Sequence, residues 1–228
     1  MIMQEVCPRY FFAGLAFLPL LFGTSAQAGY LSETGMIQVV SPPVSLTVGS
    51  FQSNSDIRTF IEKQDFVLAT SVKVDDTASG TFTSKASLVD GTIAAGTSVD
   101  SYFFHSDTVS GSQVYTGSVT FTTAILGVMV LAKSLDATDA LLGHVGTTYP
   151  TGDGGRDLEL DPTHDFFTLS ADKKTLTFQF DTHGNVDEVR VLTAPSAVPE
   201  PSSIALLGLG TIILTGASLR RRMVAMVA

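Results

Sequence analysis

The sequence predicts a mainly β protein: a β-sandwich, jelly-roll-like in form, set between an amino-terminal signal segment and a single carboxyl-terminal transmembrane helix. Three observations predict it. Short runs of alternating apolar and polar residues, bounded by Gly, Asp and Ser, recur through the middle of the chain and require strands. Charged residues make up only 15% of the 228 residues, against about a quarter in an average chain. Two apolar segments stand at the ends, outside the alternating pattern.

Residues 1–28 have the order of a secretory signal: Arg9, an apolar run over 10–22, then Ala26-Gln27-Ala28. Small residues there place cleavage between Ala28 and Gly29, by signal peptidase after passage through the Sec translocon. Thirteen apolar residues broken by Gly14 and Pro19 are short for a bilayer core of about 30 Å. Cys7 precedes the cleavage point, so the mature chain has no cysteine and rests on its core without disulfides.

The middle of the chain, residues 29–197, is read as one β-sandwich ectodomain. Residues 36–40, 66–74, 80–84 and 101–105 are strand candidates. In 113–123 the residues Tyr115, Val119 and Phe121 share one face, whereas 126–132 is apolar throughout and suits a central strand. Residues 56–63 and 134–142 look capable of a helical turn or two. Phe167 and Leu169, then Leu176, Phe178 and Phe180, alternate on either side of a Ser-Ala-Asp-Lys-Lys turn, which makes a hairpin. After a second turn at 181–185 comes a third neighbouring strand, with Val189 and Val191 alternating with Glu188, Arg190 and Leu192.

From Gly29 to Pro199 nine basic residues face 20 acidic ones, a net charge of −11. Phosphate binding rests on clustered Lys and Arg, so a nucleic-acid partner is excluded. The densest acidic stretch holds Asp153, Asp157, Glu159 and Asp161 beside Gly154 and Gly155, with Asp165 following. If it is extended, Asp157, Glu159 and Asp161 fall on one face and Leu158 and Leu160 on the other. Hard oxygen ligands so placed suit calcium, with Asp153, Asp157, Glu159 and Asp161 as the candidate set. The alternative is an acidic, solvated edge that deters aggregation.

Other chemistry finds less support. His105, His144, His164 and His183 are scattered with no paired metal-ligand spacing, which argues against zinc. No Gly-x-Ser-x-Gly is present, and the glycines at 152–155 are flanked by acids that repel phosphate. Asp157 and Glu159 could serve glycoside hydrolysis, and Tyr102, Tyr115 or Tyr149 could stack on a polysaccharide, but the lack of Trp removes the usual sugar platform.

The end of the chain, residues 198–228, reads Val198-Pro199-Glu200-Pro201, an apolar segment forming a transmembrane helix over 203–219, then Arg220-Arg221-Arg222. Sixteen helical residues over 204–219 rise about 24 Å, and snorkelling arginines extend their reach. The arginines stay cytoplasmic by the positive-inside rule, which leaves the ectodomain outside. Pro199-Glu200-Pro201, the helix with its early Leu-Gly-Leu-Gly and the Arg cluster closely resemble the PEP-CTERM sorting signal of exported proteins in exopolysaccharide-producing Gram-negative bacteria. That resemblance implies an exosortase as partner, processing near Pro199-Glu200-Pro201 in the inner membrane, and release to the cell surface or biofilm matrix. Gly117-Ser118-Val119-Thr120-Phe121, Ile125-Leu126-Gly127-Val128 and Asp187-Glu188-Val189-Arg190-Val191 resemble the ectodomains of a set of such proteins, and imply a fold but no catalysis. The expected role is structural or adhesive on the cell surface or in the exopolysaccharide. A carbohydrate-binding module and a glycan hydrolase are the alternatives.

Overall fold

The computed structural model describes residues 29–196. The expected signal segment, the Pro199-Glu200-Pro201 motif, the 203–219 helix and Arg220 to Arg222 lie outside those residues. In chain order come β1 (Tyr30–Gly35), β2 (Ile37–Val39), β3 (Ile57–Val67), β4 (Val72–Val74), β5 (Gly80–Phe82), β6 (Gly91–Ile93), β7 (Ser98–Asp107), β8 (Gln113–Phe121) and β9 (Ile125–Met129). Then follow α1 (Ala132–Leu142), β10 (Phe166–Leu169), β11 (Thr175–Thr182) and β12 (Val186–Thr193). No helix among the described residues is long and apolar enough to cross a membrane.

Two five-stranded sheets result, ordered β1-β8-β11-β10-β5 and β2-β3-β7-β12-β9, with β4-β6 as a small third sheet. All pairs are antiparallel except β2 with β3. The first sheet behaves as its alternation predicts. Tyr115, Val119, Phe121, Leu176, Phe178 and Phe180 point inward and are buried. Its outer face carries cross-strand hydroxyl pairs, Thr120 with Thr175 at 3.0 Å and Thr81 with Thr168 at 2.9 Å. The inward residues meet the second sheet directly: Phe178 lies 4.8 Å from Phe104 and Phe121 lies 4.9 Å from Tyr102, ring centre to ring centre.

The second sheet is covered on both faces. Its far side packs Phe60, Phe103, Met129 and Leu192 against Leu135 and Leu142 of α1, Val72, Val74 and Ile93 of the small sheet, and Leu46 of a loop. Every residue of β12 is therefore buried, as are nine of the ten in β7. Burial of this apolar surface, at about 25 cal/mol per Å², is what stabilises a cysteine-free domain.

Four expectations change. The strand expected at 66–74 is split, since β3 ends at Val67 and β4 begins only at Val72. Residues 56–63 are not helical but open β3, where register shifts between Ile61 and Lys63 and between Lys63 and Phe66 break the alternation. Ahead of those shifts Ile57 and Ile61 face the layer between the large sheets and Phe60 the layer behind, which gives the three a spacing that imitates a helix. The strand expected at 126–132 is β9, Ile125–Met129, which ends its sheet and is not central; its burial comes from Asp76, which bridges to Val128, and from the small sheet and α1 beside it. The third strand of the expected group, β12, does not pair with β11. It crosses to the other sheet and pairs with β7 and β9.

Helix α1 has the predicted place, but no side chain of its own caps it. Asp75, which follows β4, does so instead: its carboxylate accepts from the N–H groups of Val130 and Leu131 and from the Ser134 hydroxyl.

Candidate functional site

The loop from Pro150 to Asp165 is fixed to the second sheet by buried charge. Arg156, fully buried, donates through Nε to Glu188 Oε2 at 2.6 Å and through Nη1 to Asp139 Oδ2 at 2.6 Å and Asp136 Oδ1 at 2.8 Å. Arg190, also fully buried, forks onto Glu62 at 2.7 and 2.8 Å and reaches Asp139 at 2.9 Å. Tyr149 Oη donates to the same Glu62, and His105 Nδ1 lies 3.0 Å from Glu188. Burial opposes the charged form of Asp139, yet the hydrogen bond from Arg156 and the charge of Arg190 outweigh it and hold its carboxyl below the usual range. Glu188 and Arg190, read from sequence only as the polar partners of an alternating strand, thus tie α1 and the 150–156 loop to β12.

Beyond that anchor, Leu158 and Leu160 turn inward and the carboxylates between them turn out, as the period of two requires. The four expected calcium ligands do not converge as a set. Asp153 accepts from Gly155 N at 2.9 Å and caps the 3-10 turn Gly154–Arg156. Asp157 pairs with Lys85 Nζ at 2.6 Å. Asp161 accepts from the backbone and hydroxyl of Thr163, which lower its pKa.

Glu159 alone of the four enters a carboxylate cluster. With Asp165 and Asp187 it places three ligand oxygens within 4.8 Å of one another. Asp165 is held by backbone: its Oδ2 accepts from Glu159 N at 3.0 Å and its Oδ1 from Asp181 N at 2.6 Å. Asp187 accepts from the Thr182 hydroxyl, itself 2.8 Å from that of Ser106. The three carboxylates border an open cleft of about 300 Å³ that His164, His183, Asp181 and Asn185 complete. His183 Nε2 lies 3.3 Å from Asp181 Oδ1, and the two imidazoles are 6.3 Å apart.

No Lys or Arg lines this cleft. Burial, then the neighbouring Glu159 charge, raises Asp165 to about 6. Burial followed by the charges of Asp165 and Glu159 holds Asp187 well above the carboxylate range. Like charges this close in a partly desolvated place require either protons or a divalent cation between them. The three carboxylate oxygens suit a hard cation of the calcium kind, to which the imidazoles at the rim add nothing as ligands. Leucine parity made Glu159 legible and Asp165 follows it closely, but Asp187 comes from β12, a strand whose charged residues give no sign of burial.

The tyrosines do not form the sugar platform considered above. Tyr102 and Tyr115 are fully buried, and Tyr115 Oη donates to Ser53 O. Tyr149 is half-buried with its ring 5.2 Å from Phe103 and its hydroxyl on Glu62.

Residues 197–222 match the family model described as the PEP-CTERM protein-sorting motif. No curated protein and no solved structure matches the chain. The motif is that of exported proteins sorted at the membrane and processed by an exosortase, typically in Gram-negative bacteria.

Proposed function

We propose that this chain, sorted through the PEP-CTERM motif at residues 197–222, is delivered to the cell surface or the extracellular polysaccharide matrix, where its ectodomain has a non-catalytic, structural or adhesive role. The motif carries the reading. Residues 1–28 act as a cleaved signal peptide, the 203–219 segment holds the precursor in the inner membrane, and processing at or near Pro199-Glu200-Pro201 releases a β-sandwich. The shared apolar layer between the two large sheets supports the sandwich, with the parallel β2–β3 pair a departure from a plain jelly roll. Calcium, plentiful outside cells, is the cation assigned to Glu159, Asp165 and Asp187, in place of the wider set that spacing alone suggested.

The test uses the full chain with one tag in the ectodomain and another after Arg222, expressed in a host with an exosortase. Wild type should lose the tail tag and appear outside the inner membrane. Changing Pro199, Glu200 and Pro201 to Ala should leave both tags together in the inner membrane. The same retention for wild type would overturn the sorting reading and leave a plain membrane anchor.

A further inference from the structure

In a domain this acidic almost every cation has an internal partner. Arg156 and Arg190 belong to the buried network, and Lys85 pairs with Asp157. Arg58 and Lys63 lie over the rings of Phe51 and Phe66, and Lys173 and Lys174 donate to the carbonyls of Thr77 and Thr122. Among the described residues only Lys73 and Lys133 have no ion pair, hydrogen bond or aromatic partner. They come from separate elements, β4 and α1, and both line one cleft of about 250 Å³.

The rest of that cleft has the chemistry of a sugar site. Val72, Ala137 and Leu141 give it apolar surface, and Thr70, Ser71 and Ser134 bring hydroxyls. Thr70 and Ser71 are exposed, and the Ser71 oxygen accepts from Ala95 N, leaving its proton free to donate outward. Asp75 beneath does not cancel the lysines by pairing with them; its oxygens are taken by the start of α1. A volume just below the range of about 300–1,000 Å³ typical of drug-sized ligands suits a single ring.

We infer that the cleft between β4 and α1 binds an acidic saccharide unit, its ring on the apolar surface, its hydroxyls on Thr70 and Ser71, and its carboxylate between Lys73 and Lys133. Lysine acts here as a point charge, which tolerates the varied carboxylate positions of a polymer better than a rigid guanidinium fork. This deepens the surface-or-matrix reading by naming a ligand class. It rests on that reading only for access to such polymers, and the tag-retention assay fails independently of it.

The experiment titrates the processed protein calorimetrically with trigalacturonate and with neutral galactotriose. Saturable binding of the first, at least about tenfold tighter than the second and weakening with salt, is expected. Lys73→Gln and Lys133→Gln should each weaken binding about fivefold, the most that an exposed ion pair ordinarily supplies, whereas Lys174→Gln should not. Both positions are exposed, so the variants should keep the wild-type melting curve. Absence of trigalacturonate binding at millimolar concentration, equal binding of the neutral trimer, or unchanged binding in the Lys73→Gln/Lys133→Gln double variant would each overturn the inference.

Discussion

Raising the pH from 5 to 8 without divalent cations should weaken the folded domain, because Asp165 and Asp187 are then forced to ionise side by side in a buried place. Asp165 rises from an ordinary 3.8 to about 6 while 1% exposed. The folded state therefore binds more protons than the unfolded one, and this contribution is complete below about pH 4 and lost as pH rises through 6. At about 1.36 kcal/mol per pKa unit the whole contribution is about 3 kcal/mol, of which roughly 1.4 kcal/mol falls between pH 5 and 8. Asp187, also raised, adds in the same direction. Carboxyls held low, such as Asp139 and Asp172, lose their contribution only below the ordinary carboxylate range and leave the window clear. For a domain of this size the loss corresponds to a Tm lower by about 3–6 °C at pH 8. Scanning calorimetry on wild type and on Glu159→Gln would measure it; Glu159 is exposed, and its charge is the main electrostatic cause of the Asp165 rise. The variant should show a shallower slope and a higher Tm at pH 8. Calcium at tenfold its Kd should restore about 1.4 kcal/mol at pH 8, less at pH 5, and least in Glu159→Gln. Parallel wild-type and variant curves across this range, or calcium and EDTA curves that coincide at pH 8, would refute the cluster as a cation or proton site.

Three further outcomes follow from packing and sequence. Arg190→Met removes the partner of two buried carboxylates, Glu62 and Asp139, and should cost about 3–5 kcal/mol in urea unfolding. Gly117→Val places a Cβ 2.5 Å from Ile37 Cγ1 and 3.0 Å from Thr34 O; overpacking of this kind should cost about 1–3 kcal/mol, read as an earlier denaturant midpoint with m unchanged. Amino-terminal sequencing of the exported protein should find Gly29 first, and a retained Met1 would reject the signal peptide.

What could be read from sequence depended on which surfaces meet water. In β8 and the β10–β11 hairpin one face is solvated, so Tyr115, Val119 and Phe121 alternate with Thr116, Ser118 and Thr120 and the strands are legible. Where both faces are buried the alternation loses its meaning, since Glu188 and Arg190 occupy interior positions as fully as Val189 and Val191 do. Alternation alone does not show that Glu188 finds Arg156 and that Arg190 finds Glu62 and Asp139 across the fold. In β3 the helix-like spacing of Ile57, Phe60 and Ile61 arises because both faces are covered: Ile57 and Ile61 pack into the layer between the two large sheets and Phe60 into the layer behind the second sheet. The candidate cluster divided similarly: Glu159 and Asp165 lie close in sequence around the Leu160 bridge, whereas Asp187 joins them only because β12 crosses between sheets.

The placement of β12 has a mechanical consequence. It lies between β7 and β9, covered on both faces, and only three residues, 194–196, separate its end from the sorting motif at 197. At that exit Ser196 is held to Asp100 Oδ2 through its N–H at 2.9 Å and its hydroxyl at 2.8 Å. A pull on the carboxyl end, directed along the strand, would load the β12–β7 ladder from Val186–Asp107 to Thr193–Asp100 in shear, so that its hydrogen bonds must yield together. Tension applied to that end of the chain would thus be met by the most enclosed strand of the domain, and would reach Asp187 of the acidic cleft only through the whole length of the ladder.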